Sequence, residues 1–476
     1  MGTATISGWG ILDNLYTGAW KRSHQTDNYL SYFATIAYSL KNRYVFNFSV
    51  RNDVSNRFGQ NTNNRFDPTY SFGFSWRVMD EEWLQQAKKW VHALNMRVTY
   101  GIQGNALTNI GPDLVLIRGT LDSDYKQFKS KISRLPNPDL SWERTKSWDL
   151  GVDLGLFNLF DLSFDYYWRK SNAVVTQKIA YEYGQSSMAK NGGMLTNEGV
   201  EFTLSFTPVR TKNWAFSVAL NASKNWNELG KTDYEPTRSS FISGSTSRIL
   251  KKGYPLGAFW SYSFAGISDE DGRPLFNYLD VPEEERSSDI DPTTYLVYSG
   301  TTEPDFTGGL NLSLRWKNLS LSSNFSLLLG GKKRLPSPYA NINKGMYMPD
   351  ATVNLSKDLL KRWQKPGDET DIPGFVTSEQ TGMITLPDGQ SESWIEIWEN
   401  SDVMVADASF FRCNQLSLSW RMHDAWCKRI GLKSFSLSGS VSNLFVIASK
   451  RFNGFDPELG DSVHPKNFSI GINVGF

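Results

Sequence analysis

The chain has 476 residues, a formal net charge of +1 and 14% aromatic residues. This near-neutral balance gives no indication of binding to nucleic acid or to an anionic membrane surface. No apolar run approaches the roughly 18–20 residues that a membrane helix needs, which excludes a helical membrane protein. A transmembrane β-barrel stays compatible, because about 9–11 residues per strand suffice and half of them face water.

Apolar and polar side chains alternate along most of the chain. Successive side chains of a strand point to opposite faces, so this alternation predicts strands with one apolar and one polar face. Residues 148–168 show it best, as a hairpin with aromatic residues at both ends of each apolar row. About fifteen strands are predicted, at residues 29–40, 44–51, 70–78, 96–102, 148–156, 160–168, 200–208, 214–223, 256–267, 274–279, 307–316, 319–329, 409–420, 434–444 and 467–476.

Short turns alternate with much longer loops between these strands, and the longest loop is residues 330–404. Residues 80–90 are predicted as a short helix with Asp80 as N-cap, and Asp271-Gly272 predicts a hairpin. Outer-membrane barrels have short periplasmic turns and long extracellular loops, so this asymmetry predicts a transmembrane antiparallel β-barrel. The alternative is a set of soluble β-sandwich domains, whose strands also alternate.

The direction of the strands gives a second argument for a barrel. If the last strand runs towards the periplasm, the short turns near Lys41, Phe157, Arg210 and Lys317 all fall on the periplasmic side. This holds only if residues 274–279 count as a strand. The resulting number is odd, whereas bacterial barrels have even numbers of strands and an open sheet edge cannot lie in lipid. We therefore expect further strands from upstream of this sequence or from another chain.

Seven stretches carry a resemblance to a known family. Together they are similar to the C-terminal part of the SusC/RagA family of TonB-dependent outer-membrane transporters of Bacteroidetes. Their order and spacing over nearly the whole chain make the resemblance specific. They are YVFNFSVRNDVSNRF (44–58), LPNPDLSWERT (135–145), NEGVEF (197–202), GYPLGAFWSYSFAGISDEDGRPLF (253–276), PDFTGGL (304–310), ASFFRCNQLSL (408–418) and NLFVIASKRFNGFDP (443–457).

The resemblance implies a 22-stranded barrel that surrounds an N-terminal plug. It also implies a TonB-contacting segment, through which the inner membrane supplies energy, and a SusD-like surface lipoprotein that covers the extracellular mouth as a lid. Residues 1–476 are then the C-terminal portion of the barrel with its long extracellular loops, embedded in outer-membrane lipid. About seven strands and the plug would be supplied from elsewhere. We expect neither a cofactor nor a metal ion.

The polar face of the predicted strands would line the lumen of the barrel. Its charged residues are of mixed sign, and we expect them to hydrate the interior and to pair with the plug. Direct contact with substrate is expected only near the extracellular end. These residues are Arg51, Arg77, Arg97, Asp149, Asp153, Asp165, Arg169 and Glu201.

Aromatic residues in or near the long loops are candidates for substrate contact, because sugar rings stack on aromatic faces. Packing of the loops against the lid is the alternative explanation. The candidates are Trp226, Tyr234, Phe241, Tyr339, Tyr347, Trp394 and Trp398.

Three further features of the sequence bear on a specific role. Cys413 and Cys427 cannot form a disulfide framework. The sequence after Asp271 lacks the later ligands of a calcium loop, so a plain turn is predicted there. The alternating apolar residues at the C-terminus resemble the signal that the outer-membrane assembly machinery reads, and we expect them to act as that signal; an ordinary last strand is the alternative explanation. They are Phe468, Ile470, Ile472, Val474 and Phe476.

An enzymatic function has little support. The sequence contains four histidines and none of the common hydrolase, metalloprotease or phosphate-binding motifs. His464 lies near Asp461 and Ser462, but a triad is defined by geometry and not by proximity in sequence. An outer-membrane hydrolase would lose turnover on mutation of His464.

The hypothesis is therefore a SusC-like TonB-dependent transporter that imports a bulky nutrient, with oligosaccharide favoured. An oligopeptide importer of the same family is one alternative. A passive porin or a surface-binding barrel without TonB coupling is another.

Overall fold

The computed structural model describes residues 28–55, 66–105, 110–122, 124–233, 236–244, 251–277, 281–340, 352–375 and 382–476. Strands dominate these residues. In chain order they are β1 Tyr29–Leu40, β2 Tyr44–Ser55, β3 Phe66–Arg77, β4 Val91–Asn105, β5 Val115–Leu121, β6 Phe128–Arg134, β7 Glu143–Leu156, β8 Phe160–Lys178, β9 Ser187–Arg210, β10 Trp214–Lys231, β11 Ala258–Tyr262, β12 Phe264–Ile267, β13 Pro274–Phe276, β14 Leu296–Thr301, β15 Phe306–Trp316, β16 Leu319–Leu329, β17 Lys332–Arg334, β18 Met383–Thr385, β19 Ser391–Ser393, β20 Val405–Asp407, β21 Phe410–Arg421, β22 Ser434–Ala448 and β23 Asn467–Gly475.

Helices are short. The α-helices are α1 Arg238–Ser243, α2 Trp394–Glu399 and α3 Asp424–Arg429. In the described ranges, no helix has both the length and the apolar character needed to cross a membrane. The 3₁₀ helices are Val78–Asp80, Glu82–Lys89, Tyr181–Tyr183, Glu283–Glu285, Pro292–Thr294, Lys357–Lys361, Asp402–Met404 and Lys450–Phe452.

One large antiparallel sheet organises the described residues. It contains thirteen strands in the order β1-β2-β3-β4-β7-β8-β9-β10-β15-β16-β21-β22-β23, so that strands adjacent in the sheet follow one another along the chain. We call this sheet the wall, and β1 and β23 form its two edges. The predicted all-β antiparallel architecture is confirmed, and thirteen of the fifteen predicted strands belong to the wall.

The other two predicted strands, at residues 256–267 and 274–279, lie outside the wall. β11 pairs with β14, and β12 pairs with β13 in a small hairpin. All five residues of β11 are buried, so this strand is covered on both faces and is too short to cross a bilayer. Because the two misassigned strands are consecutive, their removal leaves the predicted direction of every wall strand unchanged. The predicted turn at Asp271-Gly272 is confirmed, with Gly272 at a positive φ.

Cross-strand register gives the wall two chemically different faces. Directly paired residues of neighbouring strands share a face. One such row runs through Phe74, Val98, Leu150 and Tyr166, whereas the adjacent row runs through Gly73, Thr99, Asp149 and Tyr167. Leu150 is 49% exposed in the described chain. A broad exposed apolar face of this kind is suited to contact with lipid. We call it the outer face and the opposite one the polar face.

Two bands of aromatic residues border the outer face. On the long-loop side, Tyr100 packs against Trp148 with ring centroids 4.5 Å apart. On the short-turn side, Phe160 stacks on Phe206 at 4.3 Å, and Trp214 stacks on Trp316 at 5.8 Å. The distance along β8 from Phe160 in this band to Trp168 in the other band is about 27 Å. This matches the apolar band of about 25 Å between the aromatic girdles of outer-membrane barrels.

The connections between wall strands fall into two classes on opposite sides. Brief turns join β1 to β2, β7 to β8, β9 to β10 and β15 to β16. Asn42 and Asn158 adopt positive φ in two of them, a conformation that asparagine tolerates better than most residues. On the other side, residues 232–305 and 330–409 make the two longest connections. Strands β8, β9 and β10 also extend further on this side than the alternation predicted.

The predicted helix at residues 80–90 is a pair of 3₁₀ helices instead, and Asp80 ends the first one without capping the second. Glu81 lies between them and is buried. Its carboxylate accepts hydrogen bonds from Tyr44 Oη at 2.5 Å and Trp76 Nε1 at 3.0 Å, and it pairs with Arg43 at 3.0 Å. These contacts, those from Tyr44 and Trp76 foremost, hold the pKa of Glu81 below its usual value. They fix the turn to the aromatic band of the outer face.

Candidate functional site

An ion-pair cluster occupies the middle of the polar face. Arg97 on β4 contacts Asp153 on β7 at 2.6 Å and Asp165 on β8 at 2.5 Å. Gly151 on β7 is the cross-strand partner of both Arg97 and Asp165, and a Cβ at this position would collide with the Arg97 side chain. The glycine therefore opens the space in which one arginine reaches carboxylates of two strands. The cluster pairs three of the eight charged residues predicted to face the lumen and keeps a formal charge of −1.

The remaining five predicted lumen residues also lie on the polar face. Arg51 pairs with Asp53 at 2.8 Å, and the Arg169 guanidinium lies 4.7 Å from the centre of the Tyr167 ring. The register of the wall gives the positions of the others, which are Arg77 opposite Asn95, Asp149 opposite Thr99 and Glu201 opposite Asp165.

Uncharged side chains form a hydrogen-bonded ladder further along the same face. Asn324 donates to the side-chain oxygen of Asn311 at 2.5 Å and accepts from Asn414 at 2.9 Å. Ser326 donates to Asn414 at 3.2 Å. The ladder spans β15, β16 and β21, and all three asparagines are partly exposed. Amide groups offer both donors and acceptors, so the ladder can exchange hydrogen bonds with a neutral hydroxylated or amide-bearing solute.

The two longest connections pack together into a body with its own hydrophobic core, which we call the loop body. Four of the seven aromatic candidates lie in that core: Phe241, Tyr339, Trp394 and Trp398 are between 0% and 3% exposed. Trp398 donates to the backbone oxygen of Asp371 at 2.8 Å. Rings this deeply buried offer no face to a sugar in this structure. They hold the loops together instead, because connections of this length can bury apolar surface of their own.

The other three aromatic candidates have different positions. Trp226 is 44% exposed, but it lies opposite Glu198 in the same cross-strand row as Trp168, which puts it on the outer face. There it belongs to the aromatic band on the long-loop side, with the Lys224 ammonium 5.1 Å from its ring centre. Tyr234 and Tyr347 lie outside the described residues.

A buried ion-pair cluster joins the two connections of the loop body. Arg238 on α1 contacts Asp388 at 2.7 Å and also Glu392 on β19. Burial, followed by the nearby Asp388 carboxylate, raises the pKa of Tyr295 well above its usual range. Burial also lowers the pKa of Arg334 to about 10. Arg334 donates to Ser261 Oγ at 3.0 Å and to the backbone oxygen of Trp260 at 2.8 Å.

A second buried cluster fixes the connection between β22 and β23. Arg412 on β21 bonds Asp456 and Glu458, and His464 lies 3.6 Å from Glu458. In the described ranges, Asp456, Glu458 and His464 bring possible metal-ligating atoms within 4.8 Å of one another. The Arg412 guanidinium already supplies the positive charge between the two carboxylates, which disfavours a metal ion. Hydrogen bonding by Arg412, against a smaller opposing effect of burial, lowers the pKa of Glu458.

Sequence reasoning missed the Asn311–Asn324–Asn414 ladder and the Arg412–Asp456 pair. A signal for the pair existed, because Arg412 and Asp456 lie in two of the family-like stretches. The ladder had a weaker signal, because single asparagines on alternating strands are common.

Comparisons with known proteins agree with this architecture. Residues 4–444 match the model of the family described as TonB dependent receptor-like, beta-barrel. The chain is 27% identical to TonB-dependent receptor P3 of Formosa agariphila and 26% identical to TonB-dependent receptor SusC of Bacteroides thetaiotaomicron. Each alignment covers 94% of this chain and 44% of the relative. The chain thus spans less than half the length of these relatives.

Solved structures give the same result. The RagAB peptide importer in its open-open state superposes with a TM-score of 0.74 at 26% identity, over 94% of this chain and 47% of that one. Family, fold and relatives are those of outer-membrane proteins, so the outer face of the wall contacts outer-membrane lipid. The chain belongs to the TonB-dependent receptor-like β-barrel family, and within that family it is SusC-like.

Proposed function

We propose that this chain is the C-terminal wall and extracellular part of a transporter that imports an oligosaccharide across the outer membrane. The energy comes from the inner membrane through TonB, which acts on a plug inside the barrel. A SusD-like surface lipoprotein closes the extracellular mouth and docks on the loop body. The observation that carries the proposal is the wall itself, with lipid-compatible side chains on one face and hydrated side chains on the other.

The chemistry of the polar face supports a neutral hydroxylated cargo. Arg97 is neutralised within the wall by Asp153 and Asp165, so it carries no free charge to attract an anion. The asparagine ladder offers amide donors and acceptors on the same face, on the other side of β9 and β10. Sugars carry many hydroxyl groups of both types, and such a surface binds them without a strong preference for charge.

The edges of the wall support the need for more protein around the bore. Among the described residues, β1 and β23 end the sheet on either side, and unpaired strand edges are not tolerated in lipid. In a barrel of 22 strands, about nine more would join β1 to β23 and surround the plug. Strands upstream in the same polypeptide supply them in this proposal.

An oligopeptide is the second candidate cargo, favoured by the similarity to the RagAB peptide importer. Peptides also carry amide groups, which suit the same ladder. The two cargoes differ in charge at their termini, and this difference makes them separable by experiment.

The test is uptake of labelled maltooligosaccharides and of labelled oligopeptides by cells that carry the intact gene, with and without TonB. We expect TonB-dependent uptake of the saccharide, weakened when Asn311 and Asn324 are replaced by alanine. Ser322→Ala and Ser313→Ala on the same strands are the matched control. TonB-dependent uptake of peptide alone would favour the second candidate. Uptake that is independent of TonB would contradict both and indicate a passive pore.

A further inference from the structure

A group of basic residues lies on the outer face just beyond the aromatic band on the long-loop side. Lys146 and Lys170 are direct cross-strand partners, immediately next to the paired Trp148 and Trp168. The next pair outward is Arg144 with Asn172. Paired residues share a face, so these cations project from the same side as the lipid-facing tryptophans. They stand where the hydrocarbon ends and the headgroups of the outer leaflet begin.

The two lysines oppose each other without a compensating acid. In the described ranges, none of the ion pairs involves Lys146 or Lys170, and Lys146 is exposed. Like charges directly opposite one another on neighbouring strands destabilise a sheet. Their Cα atoms stand about 5 Å apart in such a pair. An anion placed between the two ammonium groups would remove this repulsion.

A cavity lies directly beyond the lysine pair. Its volume is about 410 Å³, and four consecutive cross-strand partners of the outer face line it: Arg144, Asn172, Met194 and Lys231. The cavity therefore has Arg144 at one end, an amide in the middle, and at the other end Lys231, which pairs with Asp233. Guanidinium, ammonium and amide N–H groups are all donors, which is the set that a phosphate group requires.

Acidic residues on the same face lie to the side of β9 and β10. Glu198 accepts a hydrogen bond from Tyr166 Oη at 3.4 Å, and Asp233 pairs with Lys231 at 3.5 Å. Glu228 faces Thr196 across the sheet. On and beside β9 and β10, these three acids outnumber the cations Lys224 and Lys231 of the same face. The excess positive charge therefore lies on β7 and β8, at Lys146 and Lys170. The near-zero charge of the whole chain conceals this local excess.

We propose that Lys146 and Lys170 form a binding site for the phosphate groups of the glycolipid in the outer leaflet. The acyl chains of that lipid would lie along the apolar rows between the aromatic bands, and its phosphorylated sugar would sit against the lysine pair and the cavity. The site anchors the extracellular edge of the wall at the level of the headgroups. It depends on the outer-membrane location and not on the identity of the transported cargo.

Native mass spectrometry of the intact, delipidated transporter tests the site. The probes are lipid A with both phosphates, dephosphorylated lipid A and inorganic phosphate. We expect the phosphorylated lipid to bind the wild type, and K146Q/K170Q to bind it roughly 30-fold more weakly, because each basic residue near an anionic lipid surface contributes a factor of about five. Dephosphorylated lipid A is expected to bind both proteins equally weakly, and inorganic phosphate alone is not expected to bind.

The control is K428Q/K433Q, which makes the same change on exposed lysines at the short-turn side of the wall. It should bind the phosphorylated lipid like the wild type. Relief of the lysine repulsion should leave K146Q/K170Q at least as heat-stable as the wild type in detergent, while the lipid-induced rise in its melting temperature is lost. Equal binding of phosphorylated lipid A by wild type and K146Q/K170Q would overturn the proposal, as would equal binding of the dephosphorylated lipid by the wild type.

Discussion

One nitrogen of Arg412 bonds both carboxylate oxygens of Asp456, at 2.5 and 2.6 Å. Both side chains are buried, with 7% of Arg412 and 2% of Asp456 exposed. Arg412 belongs to wall strand β21, whereas Asp456 lies in the connection from β22 to β23. The pair therefore fixes the last long connection to the wall.

Replacing Asp456 by Asn should loosen this connection. The substitution leaves a buried guanidinium without its main partner, which costs about 3–5 kcal/mol when a buried pair is broken. The free energy of unfolding in detergent, together with protease cleavage within residues 449–466, measures the effect. Glu458→Gln is the control, because the Glu458 side chain is 52% exposed and its pairing is worth about 1 kcal/mol or less. Unchanged stability and cleavage in D456N would show that the pair does not hold the connection.

The buried aromatic residues of the loop body should behave as a core and not as a binding surface. Trp398→Ala removes a fully buried ring, and we expect the loop body to lose about 3–5 kcal/mol of stability. Trp398→Phe should recover much of it. Trp226→Ala, on the exposed outer face, should cost far less. Hydrogen exchange over residues 382–409 measures the change. A W398A protein with native protection but weaker cargo binding would instead support stacking of cargo on Trp398.

The Arg97 cluster should act as a coupled unit. Arg97→Gln and Asp165→Asn are each expected to destabilise the wall, because each leaves a partner unpaired. The double substitution should cost less than the two separate losses added together, with a coupling energy of about 1 kcal/mol, since the groups are about one-third exposed or less. A double-mutant cycle on denaturant unfolding in detergent measures it. Strictly additive losses would indicate that the two residues do not interact.

The wall could be predicted from the sequence because one local rule governs it. Alternation with period two decides the face of each side chain, as the rows through Leu150 and Asp149 demonstrate. Apolar side chains are stable on the face that contacts lipid, and polar side chains on the face that contacts water. The rule failed at residues 256–267. There a strand is buried on both sides by the loop body, so alternation carries no information about which sheet it joins.

The loop body could not be predicted, because its contacts are distant in sequence. Arg238 meets Asp388 across 150 residues. An isolated tryptophan such as Trp398 has the same local pattern whether its ring is in a core or on a surface. The aromatic ring of Trp398, considered alone, predicts stacking on a sugar. Packing between the two connections of the loop body buries this ring instead.

The short sheet formed by β17 and β20 should respond to acid. Burial opposes ionisation of Asp407, but hydrogen bonds from Lys332 and Ser409 outweigh it and lower its pKa to about 2, from the usual 3.8. A lowered pKa means that the ionised form contributes stability above about pH 4, and that this contribution disappears as the pH falls towards 2. Because Asp407 is about half exposed, we expect wild type to exceed D407N by about 1 kcal/mol at pH 5 and by nothing at pH 2. Urea unfolding followed by tryptophan fluorescence measures both values, and a difference that does not change with pH would contradict the assignment.

The two-faced wall is tested most directly by spin labels at successive positions of β7 in the intact protein, reconstituted in lipid. Oxygen partitions into the hydrocarbon, so its collision rate reports contact with lipid. We predict high oxygen accessibility at Leu150 and Val152 and low accessibility at Asp149 and Asp153, alternating with period two. Equal oxygen accessibility at all four positions would contradict a wall with lipid on one side and a hydrated bore on the other.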